Sequence, residues 1–534
     1  MLNSMRLIHH FNSPDPEQIK KALHVFFMRI YPLPGYAFLH RASLYDRFHR
    51  GQADLSLLLS IIAISICLTE TETSKREYAA HCLRKAEQLV ISNLSQPSVI
   101  RTQALLLIVR CKVCIGEYSS VFLLVSILSR FAFSLRLNYE NQRVCFLARE
   151  ARRRLIWAFT TCPVDAIYVS LPCSEETWEL DVCPEIEVNL KSQTKLPWLL
   201  AGNVPVSYLR DKVLRHAKRF AAGDYSALEI MHGIRDLETE LEQFYLRLPS
   251  SSAYSERNLR LRAHSAWLPR FVTLHVQWHQ CYCDLYRCVN SGLIESIPEP
   301  TLKNLDNAFV QRCRERCTHH SVEIAGIYSS LIGLRLRLSP LSVEMAACAY
   351  QCIRLLRHGQ NYYGHGTHVP HEMMTQYEQS CLQIVRIVAR TSLSVQKTER
   401  DLQGLIDEIQ DHPESCFAHT PQQNPRQILS IHSLISQSDF VDDSEEIALQ
   451  DPHSDVNPTS YEKQTHRHSD RLGTMGLPSP LPSFDSGGGL MTDSTMESDM
   501  WFQGNNAFEG AWDEPGIGFD LMRQMQWDGT GYPV

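Results

Sequence analysis

The sequence predicts an all-α protein: a multi-helix body followed by a disordered, acidic C-terminal tail. Three observations lead to this prediction. Apolar residues recur at three- and four-residue spacing through most of residues 15–400. No Asn-Gly or Asp-Gly turn with flanking alternation, the usual mark of a β-hairpin, occurs in that body. Beyond about His419 the periodicity stops, and Pro, Ser, Gly and acidic residues dominate.

The first helix begins at Asp15, which can cap it, and Pro16 suits its first turn. The segment Tyr31–Gly35 should end it. The residues expected on its single apolar face are Ile19, Leu23, Phe26, Phe27 and Ile30.

Ten further helices follow from the same spacing. In the first block they are expected over about 55–69, 76–92, 98–115, 118–137 and 144–159. After a proline-punctuated stretch, Leu171–Pro205, they are expected over about 228–248, 271–289, 303–333, 341–358 and 372–395. The longest apolar run, Leu55–Leu68, has 14 residues, which is short for a membrane span and typical of a buried helix.

These patterns divide the chain into five parts. They are a short leader (1–14), a first helical core (15–190), a continuing helical block (191–400), a largely disordered linker (401–483) and an acidic-aromatic segment (484–534). The protein is expected to be free of membrane anchors and to keep its 17 cysteines reduced, because nothing at the N-terminus resembles a secretory signal.

Charge is divided unevenly between body and tail. The 534-residue chain has 59 acidic and 52 basic residues and a net charge of −7. Residues 420–534 hold 18 acidic and 5 basic residues, which leaves 41 acidic and 47 basic residues for the body. A body with a net charge near +6 should bind duplex DNA only weakly by itself, because phosphate neutralisation supplies most of the affinity of a DNA-binding protein.

The acidic-aromatic segment has the composition of an activation segment. Nine acidic residues and one basic residue surround its aromatic side chains, so the aromatics stay in water and can dock in a partner groove. The expected anchors are Trp501, Phe502, Phe508, Trp512, Phe519 and Trp527. The alternative is a C-terminal segment that packs back on the body.

Candidate sites for chemistry all have simpler structural interpretations. Cys111 and Cys114 form the single Cys-x-x-Cys pair and are expected in the core. The stripe His275, His279 and Cys283 is interpreted in the same way. A histidine-rich loop (His358, His365, His368 and His371) has spacing that permits a metal, but such loops are usually only exposed and polar. No catalytic motif is present, so the chain is not expected to be an enzyme and no cofactor is assigned to it.

Two groups of arginines are the densest basic patches, and neither reaches a polybasic arm. They are Arg152–Arg154 and the set Arg257, Arg260, Arg262 and Arg270. Three arginines on one helical turn are not expected all to be buried, so at least two should face solvent or pair with carboxylates such as Glu150. The interpretation favoured for them is a surface helix held by ion pairs.

Several segments, in this order, resemble the motifs of one family. They are Tyr36–Arg41 with Phe38-Leu39-His40, Gln103–Ile108, Ser126–Glu140, Glu150–Trp157 with Arg152, Arg153 and Arg154, Leu171–Glu176 with Leu171-Pro172-Cys173 and, more weakly, Leu274–Arg287. Together they resemble the fungal-specific transcription factor domain, the middle homology region of fungal zinc-cluster transcription regulators.

The resemblance implies a helical regulatory domain of a nuclear transcription regulator, an activator that controls a secondary-metabolite gene cluster. It implies coactivators as partners, and a homodimer or a heterodimer with a DNA-binding partner. The family's six-cysteine zinc cluster is missing, since no cysteine precedes Cys67, and in a longer chain it would lie upstream of Met1. The connection after Trp157 is also shorter than in the family. The alternatives are a co-regulator that works through a DNA-bound partner, and an α-helical enzyme or ligand receptor.

Overall fold

The structure is a computed structural model that describes residues 14–158, 166–192, 194–223, 225–293, 295–336, 340–363 and 369–407. The leader up to residue 13 and all residues from 408 onward, including the aromatic anchors, lie outside the described residues.

The described part of the chain contains seventeen α-helices, and its fold class is all-α as predicted. The first block consists of α1 (Pro16–Val25), α2 (Arg41–His49), α3 (Leu55–Thr69), α4 (Thr73–Ile91), α5 (Val99–Ile115), α6 (Tyr118–Ser134), α7 (Phe146–Ala158) and α8 (Glu175–Glu179). The second block consists of α9 (Leu199–Ala222), α10 (Ala227–Leu246), α11 (Glu256–Leu261), α12 (Leu268–Tyr286), α13 (Glu299–Lys303), α14 (Asn307–Gly333), α15 (Val343–Tyr363), α16 (His371–Ala389) and α17 (Val395–Asp407).

Helix α1 begins and buries its side chains as the sequence predicts. The Asp15 carboxylate accepts a hydrogen bond from the Glu17 amide at 3.2 Å, and Pro16 occupies the first turn. The predicted apolar face is buried. One feature was not predicted: the helix continues as a π-helical turn over Phe26–Ile30, where the Tyr31 amide donates to the Phe26 carbonyl at 2.8 Å. This wider turn places both Phe27 and Tyr31 in the core.

The core of the first block is built around α3. Twelve of its fifteen residues are buried, because α1, α4 and α5 pack around it. The three serines that interrupt its apolar run satisfy their hydroxyls locally or on a neighbour; Ser65, for example, donates to the Ala22 carbonyl at 3.2 Å. The interpretation of this run as a buried helix is therefore confirmed. None of the described helices has the length and apolar character needed to span a membrane.

Helix α12 has the central place in the second block, where α9 and α14 pack against it. Helix α9 was not predicted, because Pro205 lies inside it and prolines usually interrupt helices. Its apolar face, with Leu200, Val206 and Val213 buried, packs on α12 despite the missing hydrogen bond. Tertiary packing therefore outweighs the local penalty.

Other helices also differ from the prediction. Helices α2, α8, α11, α13 and α17 were not expected, and α17 ends at Asp407, seven residues into the region predicted as linker. Helix α17 buries Val395, Leu402 and Ile406 against α15 and α16, so the end of this helix depends on neighbours that a local pattern does not contain.

Candidate functional site

A largely buried network of ion pairs surrounds α7. We call it the arginine network, and its members are Glu140, Arg149, Glu150, Arg153, Arg154, Glu175, Glu187 and Arg270. It contains four carboxylates and four guanidinium groups, so its formal charges balance. Such balance is required because an unpaired charge in a protein interior is strongly destabilising.

Arg154 lies at the centre of the network and is 2% exposed. It donates to Glu150 Oε1 at 2.9 Å and to Glu175 Oε2 at 2.9 Å. It also donates to the Tyr31 hydroxyl at 3.1 Å and to the carbonyls of Ala37 at 3.2 Å and Cys173 at 2.9 Å. Arg154 therefore ties α7 to the end of the first helix, to the turn before α2 and to the segment leading into α8.

Two aromatic residues complete the surroundings of Arg154 and its helix. The Arg154 guanidinium lies 4.8 Å from the centre of the Trp178 ring, a cation–π contact. One turn along α7, the Trp157 indole donates to the Ser170 carbonyl at 2.8 Å. Both tryptophans are buried, so they exclude water from the ion pairs.

Arg153 points to the other side of α7 and is also buried. It pairs with Glu140, and it donates to Glu187 Oε1 at 2.7 Å. Glu187 lies 3.6 Å from Arg149 as well. Burial raises the pKa of the Glu187 carboxyl, but the hydrogen bond and charge of Arg153 outweigh it and hold that pKa below its usual value.

The second helical block reaches the network through Arg270 of α12. Its guanidinium pairs with Glu175 and donates to the carbonyls of Pro32 at 3.0 Å and Tyr31 at 3.1 Å. Glu175 therefore bridges Arg154 and Arg270. Burial raises the pKa of its carboxyl, yet these two arginines and the Tyr31 hydroxyl together lower it below the ordinary value.

The Leu171-Pro172-Cys173 segment is held by hydrogen bonds from its backbone. The Cys173 amide donates to Glu150 Oε1 at 2.9 Å, and the Leu171 amide donates to the Val188 carbonyl at 2.7 Å. The Pro172 carbonyl accepts from the Trp198 indole at 2.6 Å. The segment thus covers one side of the network.

The Phe38-Leu39-His40 segment contacts the same region. Phe38 is fully buried, and its carbonyl accepts from the Gln103 side chain at 3.2 Å. His40 caps α2 by accepting from the Ser43 amide at 3.2 Å, and its ring lies edge-on to Trp178 at 4.9 Å. Residues from three of the motif segments, around His40, Arg154 and Cys173, therefore meet around one network.

The interpretation of Arg152–Arg154 as a surface helix is wrong. The expectation that at least two of them pair with carboxylates is met by Arg153 and Arg154, but both are buried. Arg152 is half-buried and donates to the Leu135 carbonyl at 3.1 Å. Arg270 likewise does not belong to a basic surface patch. Glu150 pairs with Arg153 and Arg154 from the same helix, whereas Glu140, Glu175 and Glu187 lie 13 to 95 residues from the arginines that they pair with.

Three residues that the sequence did not single out complete the surroundings of the arginines: Tyr31, Trp178 and Glu187. Glu140 was included only as the last residue of the segment Ser126–Glu140. Glu175 belongs to the segment Leu171–Glu176, and it follows Ser174, which caps α8 by accepting a hydrogen bond from the Thr177 amide.

The other sequence candidates have structural roles. Cys111 and Cys114 are buried in α5, as predicted, and the fifteen described cysteines are all free. In the histidine-rich loop, His365 and His368 lie outside the described residues. No group of His, Cys, Asp and Glu side chains suited to a metal ion is found among the described residues.

The stripe His275, His279 and Cys283 is buried, in agreement with its structural interpretation. The His275 ring nitrogen Nε2 hydrogen-bonds the Ser252 carbonyl at 2.9 Å. His279 Nδ1 lies 2.9 Å from His320 Nδ1, so one ring donates and the other accepts. Burial lowers the pKa of His275 to about 4, of His279 to about 3 and of His320 to about 2.

These histidines make stability depend on pH. The unfolded chain protonates each of them near pH 6.5, whereas the folded chain keeps them neutral to about pH 4. Below pH 6.5 the unfolded state therefore binds more protons, and the free energy of unfolding should fall by roughly 1.4 kcal/mol per pH unit for each histidine. Urea unfolding measured between pH 7.5 and 5 gives the slope of the free energy of unfolding against pH. In the His275→Gln variant this slope should be smaller by the contribution of about one proton.

The matched control is His264→Gln, because His264 is exposed. This variant should keep the slope of the parent protein. A His275→Gln slope identical to that of the parent would contradict the prediction.

Comparison with known proteins finds one family model that matches part of the chain. Residues 23–159, about a quarter of the chain, match the family model described as the fungal specific transcription factor domain. This part of the chain is therefore similar to a domain of fungal transcription regulators. The resemblance seen in the sequence is confirmed. Neither the search of curated proteins nor that of solved structures finds a match.

The segment that matches the family model does not contain all the residues of the arginine network. The match stops after α7, whereas Ser170, Cys173, Glu175, Glu187 and Arg270 all lie beyond it. The buried arginines of the matched segment are thus paired with Glu140 and Glu150 inside it and with Glu175 and Glu187 outside it.

Proposed function

We propose that this chain is a nuclear transcription regulator whose helical body is the regulatory part and whose acidic-aromatic segment (484–534) recruits coactivators. The observation that supports the proposal best is the fungal specific transcription factor domain over residues 23–159, whose motif residues converge on the arginine network. The resemblance to regulators of secondary-metabolite gene clusters suggests the kind of target, and dimerisation of the body is part of the same proposal.

The charges of the body favour recruitment over direct DNA contact. Arg153, Arg154 and Arg270 are buried in ion pairs and are not available to phosphates. These three arginines therefore add nothing to phosphate neutralisation, which supplies most of the affinity of a DNA-binding protein. A DNA-bound partner, or a zinc cluster in a longer chain, would then bring the regulator to its promoter.

The acidic-aromatic segment should activate transcription when fused to an unrelated DNA-binding domain. Acidic residues keep the segment in water, and each aromatic side chain that becomes buried in a coactivator contributes about 1.5–3 kcal/mol before ordering costs. Several anchors must therefore act together. Replacing Trp501, Phe502, Phe508, Trp512, Phe519 and Trp527 with alanine should abolish reporter activity, whereas single replacements should only reduce it.

The control for this experiment is a fusion in which aspartates are exchanged for glutamates, which preserves charge and should preserve activation. Protein levels of all fusions are compared by immunoblot. If the aromatic-free segment activates as strongly as the original, recruitment through aromatic anchors is ruled out.

A further inference from the structure

A small cavity lies between the two helical blocks, next to the arginine network. Its volume is about 110 Å³. Helices α5, α7, α9, α12 and the first turn of α15 supply its wall, together with the turn at Leu33–Tyr36. Ligand sites often lie between two packed parts of a protein, where elements that are far apart in sequence form opposite walls.

The cavity wall carries one positive and one negative side chain. Arg110 of α5 is fixed in position: its guanidinium stacks 4.4 Å from the centre of the Tyr36 ring and donates to the Ala158 carbonyl at 2.7 Å. Gly35 makes this possible, because a Cβ atom there would lie 2.5 Å from the Arg110 Nη2 atom. Glu344, in the first turn of α15, also lines the cavity and makes no ion pair with any residue in the described ranges.

A buried acceptor in the same wall lacks a donor. Asn203 of α9 is 3% exposed, and its amide nitrogen donates to the carbonyls of Leu199 at 2.8 Å and Arg270 at 3.1 Å. Its Oδ1 atom has no hydrogen-bond partner in the described structure, nor does the buried hydroxyl of Ser342 nearby. Unsatisfied buried acceptors cost free energy, so a ligand that offers N–H groups would be stabilised here.

The remaining wall is mostly apolar, and the cavity is small. Leu33, Leu200, Val204 and the Trp157 side chain contribute to it. A cavity of about 150 Å³ is known to hold benzene, so this one accommodates a compound of about eight heavy atoms only if part of it faces the opening. The ligand therefore has a short apolar group and compact polar ends.

We infer that the cavity binds a small aliphatic α-amino acid, with the carboxylate toward Arg110 and the ammonium toward Glu344 and Asn203. A zwitterion matches a wall whose two charges cancel, because each end of the ligand meets an opposite charge and no net charge is buried. An amine or a carboxylic acid alone would bring an uncompensated charge into the site. The inference goes beyond the proposed function, since binding is measured without any transcription.

Calorimetric titration of the purified full chain tests the inference with three compounds of nearly equal shape. They are L-valine, isobutylamine, which lacks its carboxylate, and isovalerate, which lacks its ammonium. L-valine should bind about tenfold or more tightly than either analogue, because each analogue loses one charged hydrogen bond. L-Alanine and L-2-aminobutyrate should bind as members of the same class, and L-tryptophan, which exceeds the cavity, should not.

A pair of variants locates the site. Glu344→Gln should weaken L-valine binding about tenfold and leave isovalerate binding unweakened, because only the ammonium loses its partner. Glu372→Gln is the matched control: Glu372 also lies in the first turn of its helix, α16, but is exposed. It should bind L-valine like the parent protein, and circular dichroism checks that both variants fold.

Three results would overturn the inference. They are no binding of L-valine, L-alanine and L-2-aminobutyrate, equal binding of valine and its two analogues, or an unchanged valine affinity in the folded Glu344→Gln variant. A failed reporter assay with the acidic-aromatic segment would leave this binding intact, so the two proposals fail separately.

Discussion

Replacing Glu175 with alanine is expected to lower the free energy of unfolding by about 3–5 kcal/mol. Glu175 pairs with both Arg154 and Arg270, which are each about 2% exposed. Without the carboxylate, two buried guanidinium groups lose their shared partner, and the desolvation of those charges is no longer compensated. Urea or thermal unfolding of the full chain, followed by circular dichroism, measures the loss.

Glu176→Ala is the matched control for this variant. Glu176 occupies the next position of the same short helix, α8, and is exposed. Its replacement should change the free energy of unfolding by no more than about 0.5 kcal/mol. Glu175→Gln should fall between the two, because it keeps a hydrogen-bond acceptor but not the charge. Equal stabilities of the Glu175→Ala and Glu176→Ala proteins would show that the network contributes little.

A fragment limited to residues 14–159 is expected not to fold, although it contains the whole segment that matches the family. Arg154 would lose Glu175 and the Cys173 carbonyl, Arg153 would lose Glu187, and the Trp157 indole would lose the Ser170 carbonyl. Several buried polar groups would then lack partners at once, each at a cost of about 1–3 kcal/mol or more. The total exceeds a large part of the stability of a typical domain.

A longer fragment, residues 14–407, retains all of these partners and serves as the comparison. It should unfold cooperatively and give dispersed amide signals in NMR spectra, whereas the shorter fragment should give neither. Cooperative unfolding of the short fragment would mean that the matched segment is stable without the network's distant carboxylates.

Many of the helices follow from local sequence alone. Helices α3, α5 and α10 were predicted within about two residues at each end, because an apolar face repeats along each of them and a capping serine or aspartate precedes it. Asp54, Ser98 and Ser226 make the capping hydrogen bonds in the structure. Because these signals lie within or directly before one helix, the local sequence is sufficient to predict that helix.

Helices α9 and α17 could not be predicted from local sequence. In α9, Pro205 opposes the helix locally, and the packing of Val206 and Val213 against α12 decides the outcome. In α17, the apolar residues are few, and their burial against α15 and α16 determines how far the helix runs. A local sequence pattern does not show the packing that compensates for the proline in α9, and it does not show the helices against which α17 packs.

The motif residues themselves were identifiable from sequence, and so was the all-helical class of the body. Only the tertiary structure determined whether those residues are buried or exposed. Three consecutive arginines are ordinarily a surface feature. Here Arg153 and Arg154 are buried, because Glu140, Glu175 and Glu187 arrive from other segments and balance their charge. Burial of a charge depends on partners in space, and for these arginines most of the partners lie far along the chain.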